Sequence, residues 1–301
     1  MNKSRVFTLI ALLISLAYLY KNINVSELEL ALKAASCKYI LMALVLSVFT
    51  LLLSSLRWYL FLREVQGTNF KKTLKAFLSG YYLITILPPS VGHMAKVKLV
   101  GGDYFKALSS LVIGLSTEFL VVLSFALIFV GFTKVGIFGL ILILVALIYE
   151  KGIYQVLDSL LKFWESVGIK GLILTLRSYL ERIHMGWSEA KENRVVLLIS
   201  FLLSAVIIFL QVFGIITVGK AFNLEISVKQ ALYGFLMSVL FASVSGIPAG
   251  FGANEFGLVL GIGASTKATI TAFIYKFLFQ YMYSIIGAVV FYGALGEGDK
   301  K

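Results

Sequence analysis

The 301 residues are 59% hydrophobic and only 14% charged, with a mean hydropathy of +0.94. A soluble domain of this length needs far more polar surface, so the composition excludes that class and points to an all-α, polytopic integral membrane protein. The net charge of +12 would suggest nucleic acid in a soluble chain. Here the cationic residues flank apolar runs, so membrane lipids are the expected partners and nucleic acid is not.

A span crosses about 30 Å of hydrocarbon with roughly 20 apolar residues, and it is helical because it must satisfy its own backbone hydrogen bonds. Strand-like alternation is absent. The first run, VFTLIALLISLAYLY after MNKSR, has the basic start and apolar middle of a signal peptide. No small-residue cleavage site follows it, so it is read as a retained span over 5–20. A weakly amphipathic piece, VSELELALKAAS, comes next, and the single cysteine, Cys37, excludes an internal disulfide. Further spans are expected over 39–62, 106–132, 135–149, 195–219 and 268–293, making six crossings.

Two other apolar regions, 73–102 and 231–263, are split at LPPSVG and GIPAGFG. Their arms, about 12 to 17 residues long, are too short to cross alone. They are read as re-entrant broken-helix hairpins. Between the halves, IYQVLDSLLKFWESVGI places Ile153, Val156, Leu157, Leu160, Leu161 and Trp164 at helical spacing, opposite Asp158, Lys162 and Glu165. A second such segment follows, with Leu172, Leu176, Leu180, Ile183 and Trp187 on one side and Arg177 and Glu181 on the other. Both are amphipathic interface helices by this pattern. The expected organisation is one domain over 1–295, with halves at 1–150 and 195–295, a connector at 151–194 and a short cytoplasmic tail at 296–301.

Placing both termini in the cytoplasm puts most of the 27 Lys and Arg on that side, as the positive-inside rule favours. Lys71, Lys72, Lys75, Lys96, Lys98 and Lys106 decide the sign. Three full crossings lie between the two broken regions. An odd number makes the first hairpin enter from the cytoplasm and the second from outside. The halves also read alike: PPSVG precedes Lys106-Ala107, and PAGFG precedes Lys267-Ala268, each opening a long apolar helix. That is the pattern of an inverted repeat, which in transporters puts the substrate site near the midplane.

Glu118 and Glu255 are the acidic residues well inside apolar segments, and Lys276 is the deeply placed base. A lone charge in hydrocarbon costs at least about 2.5 to 3.5 kcal/mol, so these groups are paired or wet. Half-helix starts at 91–94 and 252–255 offer free N–H groups and positive dipole ends to an anion such as a lipid phosphate. Lys96, Lys98 and Lys276 add point charges. Plainer readings stand beside these. Glu255 and Lys276 could form a structural ion pair, and Glu118 could neutralise Lys96 or bond to a neighbouring helix. His93 could be a helix-start hydrogen-bonding residue, Arg57-Trp58 an interfacial anchor, and Gly257 with Gly261 a small-residue packing stripe. Enzymatic signatures are missing: His93 and His184 lie on different elements, and there is no P-loop and no metal-ligand pattern. No enzyme activity, metal or cofactor is expected, and the last span leaves little chain for a C-terminal catalytic domain.

The run LRWYLFLREVQGTNFKKTLKAFLSGYYLITILPPSVGHMAKVKLV, with its LP-x-x-x-G-x-x-x-K, and the run SGIPAGFGANEFGLVLGIGASTKATITAFIYKFLF together resemble the two conserved blocks of the lysylphosphatidylglycerol synthase transmembrane region family, also called flippase-like. The resemblance covers essentially the whole chain, and its second block is the more specific. It implies a membrane region that moves a lipid, such as an aminoacylated phosphatidylglycerol made by a separate soluble domain, between leaflets. Some relatives carry the region fused to a glycosyltransferase, so a polyprenyl-phosphate glycolipid is the other implied cargo, and a separate lipid synthase or glycosyltransferase an implied partner.

By resemblance the family's second-block residues fall on Pro248, Gly250, Gly252, Glu255 and Lys276, with Asn254 beside them, and its first-block residues on Arg57, Pro88 and Gly92. The chain departs from the pattern in four places. His93 stands where the family often has an acidic residue, Lys96 stands for an arginine, and Ala249 replaces a glycine. An arginine expected near Ser116 to Glu118 is not evident. These residues, with Glu118, form the expected binding site of a lipid-translocating protein in the cell membrane. A non-transporting partner of a lipid-modifying enzyme and a small-solute transporter are the alternatives.

Overall fold

The computed structural model describes residues 3–87, 89–166, 177–178, 180–181, 184–185, 188 and 193–298. Every regular element among them is helical. The second amphipathic segment and Pro88 lie largely or wholly outside the described residues.

Helix α1 (Lys3–Lys21) bends by 74° into α2 (Val25–Lys33). The break has a local cause: the Asn24 side chain accepts from the N–H groups of Ser26 and Glu27, capping α2 and ending α1's register. Helix α3 (Cys37–Gln66) runs for 30 residues and stops at Gly67, which takes the left-handed conformation that closes helices. Next come α4 (Phe70–Ile86) and α5 (Pro89–Val100), then α6 (Tyr104–Val130), started by the Asp103 cap, and α7 (Thr133–Ile148). Helix α8 (Glu150–Ser166) matches the first amphipathic segment, with Val156, Leu157 and Leu160 exposed.

Helix α9 (Arg194–Ala221) is followed by α10 (Val228–Ser245), begun by a reciprocal Ser227–Gln230 capping box. A short 3₁₀ turn at Pro248–Gly250 leads to α11 (Ala253–Ile262). Helix α12 (Thr266–Lys276), a π-helical turn at Phe277–Tyr281 and α13 (Met282–Gly298) form one nearly continuous rod.

By length and apolarity, four described helical stretches can cross a membrane: α3, α9, α10 and the α12–α13 rod, with α1 and α2 a fifth if they form one bent span. Helix α10 departs from the short-arm expectation, because its 18 residues suffice for a crossing. Its partner α11 has only 10.

Small residues set the packing. A Cβ on Gly257 would lie 2.5 Å from the Met237 carbonyl oxygen, and one on Gly261 would collide with Gly234, so α11 lies directly on α10. A Cβ on Gly92 would meet the Ile84 backbone at 2.7 Å, so α5 folds back as closely on α4. Helices α3 and α9 pack against one another, with Ala43 of the first and Ile208 and Ile215 of the second buried in one cluster. The outward faces of these helices carry exposed Leu41, Phe49, Leu202 and Phe213. That pattern suits a lipid surround.

Candidate functional site

In the first half, Arg57 emerges from α3 into the interior and is only 5% exposed. Its Nη2 donates to Glu118 Oε2 of α6 at 2.5 Å, and its Nη1 donates to Ser204 Oγ of α9 at 2.9 Å. The interfacial-anchor reading of Arg57 therefore fails; Arg57 ties three helices together. Of the two readings of Glu118, the bond to a neighbouring helix is the one present, since Arg57 of α3, not Lys96, takes the carboxylate.

Lys96 of α5 is 4% exposed, and its stem fits where Gly80 of α4 has no side chain. Its Nζ sits 4.0 Å from the Phe77 ring centroid and 4.6 Å from that of Trp58, a cation–π contact on two faces. Among the described residues it has no hydrogen bond and no ion pair. His93, one turn earlier, keeps a buried Nδ1 without a partner.

The second half supplies a strained turn. Ala249 has φ 54° and Gly250 φ 65°, so two consecutive residues occupy the left-handed region. Glycine does this freely; alanine does not. The turn is held by two amides on one carbonyl: Asn254 Nδ2 and Gln280 Nε2 each donate to Ala249 O at 2.7 Å. Ser238 Oγ completes the clamp by donating to Asn254 Oδ1 at 3.1 Å. Gln280 reaches the turn from the π-helical segment, a feature often found at functional positions.

Glu255 is fully buried, and it turns back on its own helix. Its Oε2 accepts from the Gly252 N–H at 2.7 Å, and its Oε1 accepts from the Tyr281 hydroxyl. The positive end of α11, expected to be open to a ligand anion, is thus occupied by the chain's own carboxylate. No salt bridge joins Glu255 to Lys276 among the described residues, although the two groups still act on one another through space. Lys276 is 7% exposed, and its one hydrogen bond there is a long one, 3.5 Å to Gln280 Oε1.

Two adjoining cavities, of about 230 and 260 Å³, bring the halves together. Arg57, Trp58, Lys96 and Gly114 line the first, while Gly250, Asn254, Lys276 and Ser243 line the second. Tyr81, Ile84, His93, Glu118, Gln211 and Gln280 are among those lining both. Of the expected residues, Arg57, His93, Lys96, Glu118, Gly250, Asn254 and Lys276 share this continuous space. Gly92, Pro248, Gly252 and Glu255 shape the hairpins but do not line it.

The lysylphosphatidylglycerol synthase TM region family model matches residues 6–287. The chain belongs to this family. No curated protein matches it. In this member of the lysylphosphatidylglycerol synthase TM region family, both sequence blocks that carry the likeness fold into the walls of one polar space. Gln211 and Gln280 were missed by the sequence reading, although an amide inside an apolar span is the same kind of signal as an internal charge. Charge alone drew attention, and these amides carry none.

Proposed function

We propose that the protein moves a membrane lipid between leaflets, with the paired cavities as the passage for its headgroup. One observation carries this reading. Lys96 and Lys276, from opposite halves of the chain, line adjoining polar cavities deep in an apolar helical body, and neither makes a salt bridge among the described residues. Buried cations that make no direct ion pair are costly in a fold and useful at a site that receives an anion.

The element order supports an inverted repeat. A long helix, a tight hairpin and a further long helix occur as α3, α4–α5, α6 and again as α9, α10–α11, α12. If α10–α11 returns to the side it entered, although α10 alone is long enough to cross, then six crossings and two hairpins entered from opposite sides put both termini in the cytoplasm of a cell-membrane protein, as the distribution of Lys and Arg favours. Lipid movement then needs no catalytic step, and the chain is read as a transporter, not an enzyme.

The test is reconstitution into liposomes carrying fluorescent lipids with a series of headgroups. Accelerated leaflet exchange of at least one of them is the expected result. Binding without exchange would replace this reading with that of a protein presenting lipid to a separate enzyme, and saturable uptake of a soluble solute with that of a small-solute transporter.

A further inference from the structure

The second hairpin is bonded within itself. Ser238 Oγ donates to Asn254 Oδ1, Asn254 Nδ2 donates to Ala249 O, and Glu255 Oε2 accepts from the Gly252 N–H. Gly257 and Gly261 seat α11 directly on the α10 backbone. These contacts make α10, the 3₁₀ turn and α11 one body.

Its attachment to the α12–α13 rod is of another kind. Among the described residues, the hydrogen bonds between hairpin and rod all involve two consecutive rod side chains, Gln280 and Tyr281. Gln280 Nε2 donates to Ala249 O at 2.7 Å, Gln280 Oε1 accepts from Asn254 Nδ2 at 3.4 Å, and the Tyr281 hydroxyl donates to Glu255 Oε1. The Tyr281 ring also lies near Phe251, with centroids 5.9 Å apart. Both residues belong to the π-helical turn, in which the Met282 N–H reaches Phe277 O, five residues back. Such a turn holds one residue more than an α-turn. Moving it by one position along the rod rotates each side chain it passes by about 100°, the angle between successive helical residues. A shift past Gln280 and Tyr281 therefore unhooks both ends of the hairpin turn together.

The contact is built to let go. Ala249, at φ 54°, is held where alanine is strained, and Gln280 supplies one of the two amides that hold it there. Gln280 lines both cavities, so its freed amide meets polar space and not hydrocarbon. Glu255 keeps the Gly252 N–H when Tyr281 leaves.

We infer that the π-helical turn is a latch: its displacement along the rod frees the second hairpin to move as a unit and changes access to the cavities beside it. This names the moving part of the translocation reading and rests on that reading for its role in lipid movement.

Amide hydrogen exchange in purified full-length protein tests the latch itself, in wild type, Gln280→Leu and Tyr281→Phe. Each substitution removes the rod's bond to one end of the turn. Either variant should raise exchange across the whole of 246–256 by a common factor, because a latched segment opens as a cooperative unit. A rise confined to the amides beside the lost bond would overturn the inference. In liposomes, Phe251→Cys/Tyr281→Cys is made in a Cys37→Ser chain, so that no native thiol remains, and is joined by a short bis-thiosulfonate linker. Joining should abolish the acceleration of leaflet exchange, and dithiothreitol should restore it. Exchange by the joined protein at the rate of its reduced form would overturn the latch and leave the translocation reading in place. No exchange of any lipid by wild type would remove the translocation reading, with hydrogen exchange still deciding for or against the latch.

Discussion

Arg57 of α3 and Glu118 of α6 meet at 2.5 Å in the interior, and Ser204 of α9 receives the other arm of the guanidinium at 2.9 Å. The pair is a structural junction of three helices, and at the same time part of the wall of the first cavity. Breaking a buried pair strands one charge, at a cost of about 3 to 5 kcal/mol. Arg57→Met and Glu118→Gln should each lower the unfolding midpoint in detergent. The double variant should lose less than the sum of the two, a coupling that a double-mutant cycle reads directly.

Ala249 stands at φ 54°, where an L-residue is strained by about 1 to 2 kcal/mol. Two amides hold its carbonyl, so the strain is retained by the clamp and not released by a local shift. Ala249→Gly removes the clash but adds freedom to the unfolded chain. The net expectation is a gain of about 0.5 to 1 kcal/mol, seen as a higher melting temperature in detergent.

Glu255 satisfies two buried donors, the Gly252 N–H and the Tyr281 hydroxyl. Glu255→Ala leaves both without an acceptor, and each costs about 1 to 3 kcal/mol. Glu255→Gln keeps one oxygen for Gly252, and the Tyr281 hydroxyl can rotate to accept from the new amide. Thermal melting should therefore rank wild type above Gln and Gln well above Ala. Equal melting of the Ala variant and wild type would remove the structural role assigned to this carboxylate.

On the connector, Asp158 bonds to Lys162 and to Arg177, each at 2.7 Å. The Lys162 hydrogen bond, followed by Arg177, holds its carboxyl below the ordinary value of 3.8 against the opposing effect of desolvation. A depressed carboxyl contributes stability above its unfolded value and loses it as pH falls through the folded one. Hydrogen exchange over Glu150–Ser166 should be constant from neutral pH down to about 4, after correction for intrinsic rates, and should rise below that. Asp158→Asn should flatten the dependence.

Long apolar runs were legible in the sequence because hydrocarbon imposes a length and forbids unpaired backbone groups. The ends of α3, α9 and the α12–α13 rod fall close to where periodicity puts them. The hairpins were legible at proline and glycine, yet α10 proved longer than its arm was expected to be, because Ser245 and Gly246 can still close a helix that begins at Ser227. Partner choice was not legible. Arg57 and Glu118 lie 61 positions apart, and nothing local in either segment announces the other. Nor could spacing tell that Glu255 would cap its own helix instead of facing a ligand, since the same glutamate at the third helical position serves both purposes. The resemblance pointed to the hairpin at Pro248, while the geometry turns Glu255 onto its own helix and lines the cavities with Lys96 and Lys276.

The central claim is that these two lysines are kept buried for the cargo and not for the fold. It is tested by leaflet exchange and thermal melting of Lys96→Met/Lys276→Met in the same liposome preparation. Methionine matches lysine in length and packs well on aromatic rings, and removing two buried charges that make no salt bridge should leave stability unchanged or higher. The account predicts a protein that melts at or above the wild-type temperature and no longer accelerates exchange of any lipid the wild type moves. Exchange at the wild-type rate in that stable double variant would contradict it.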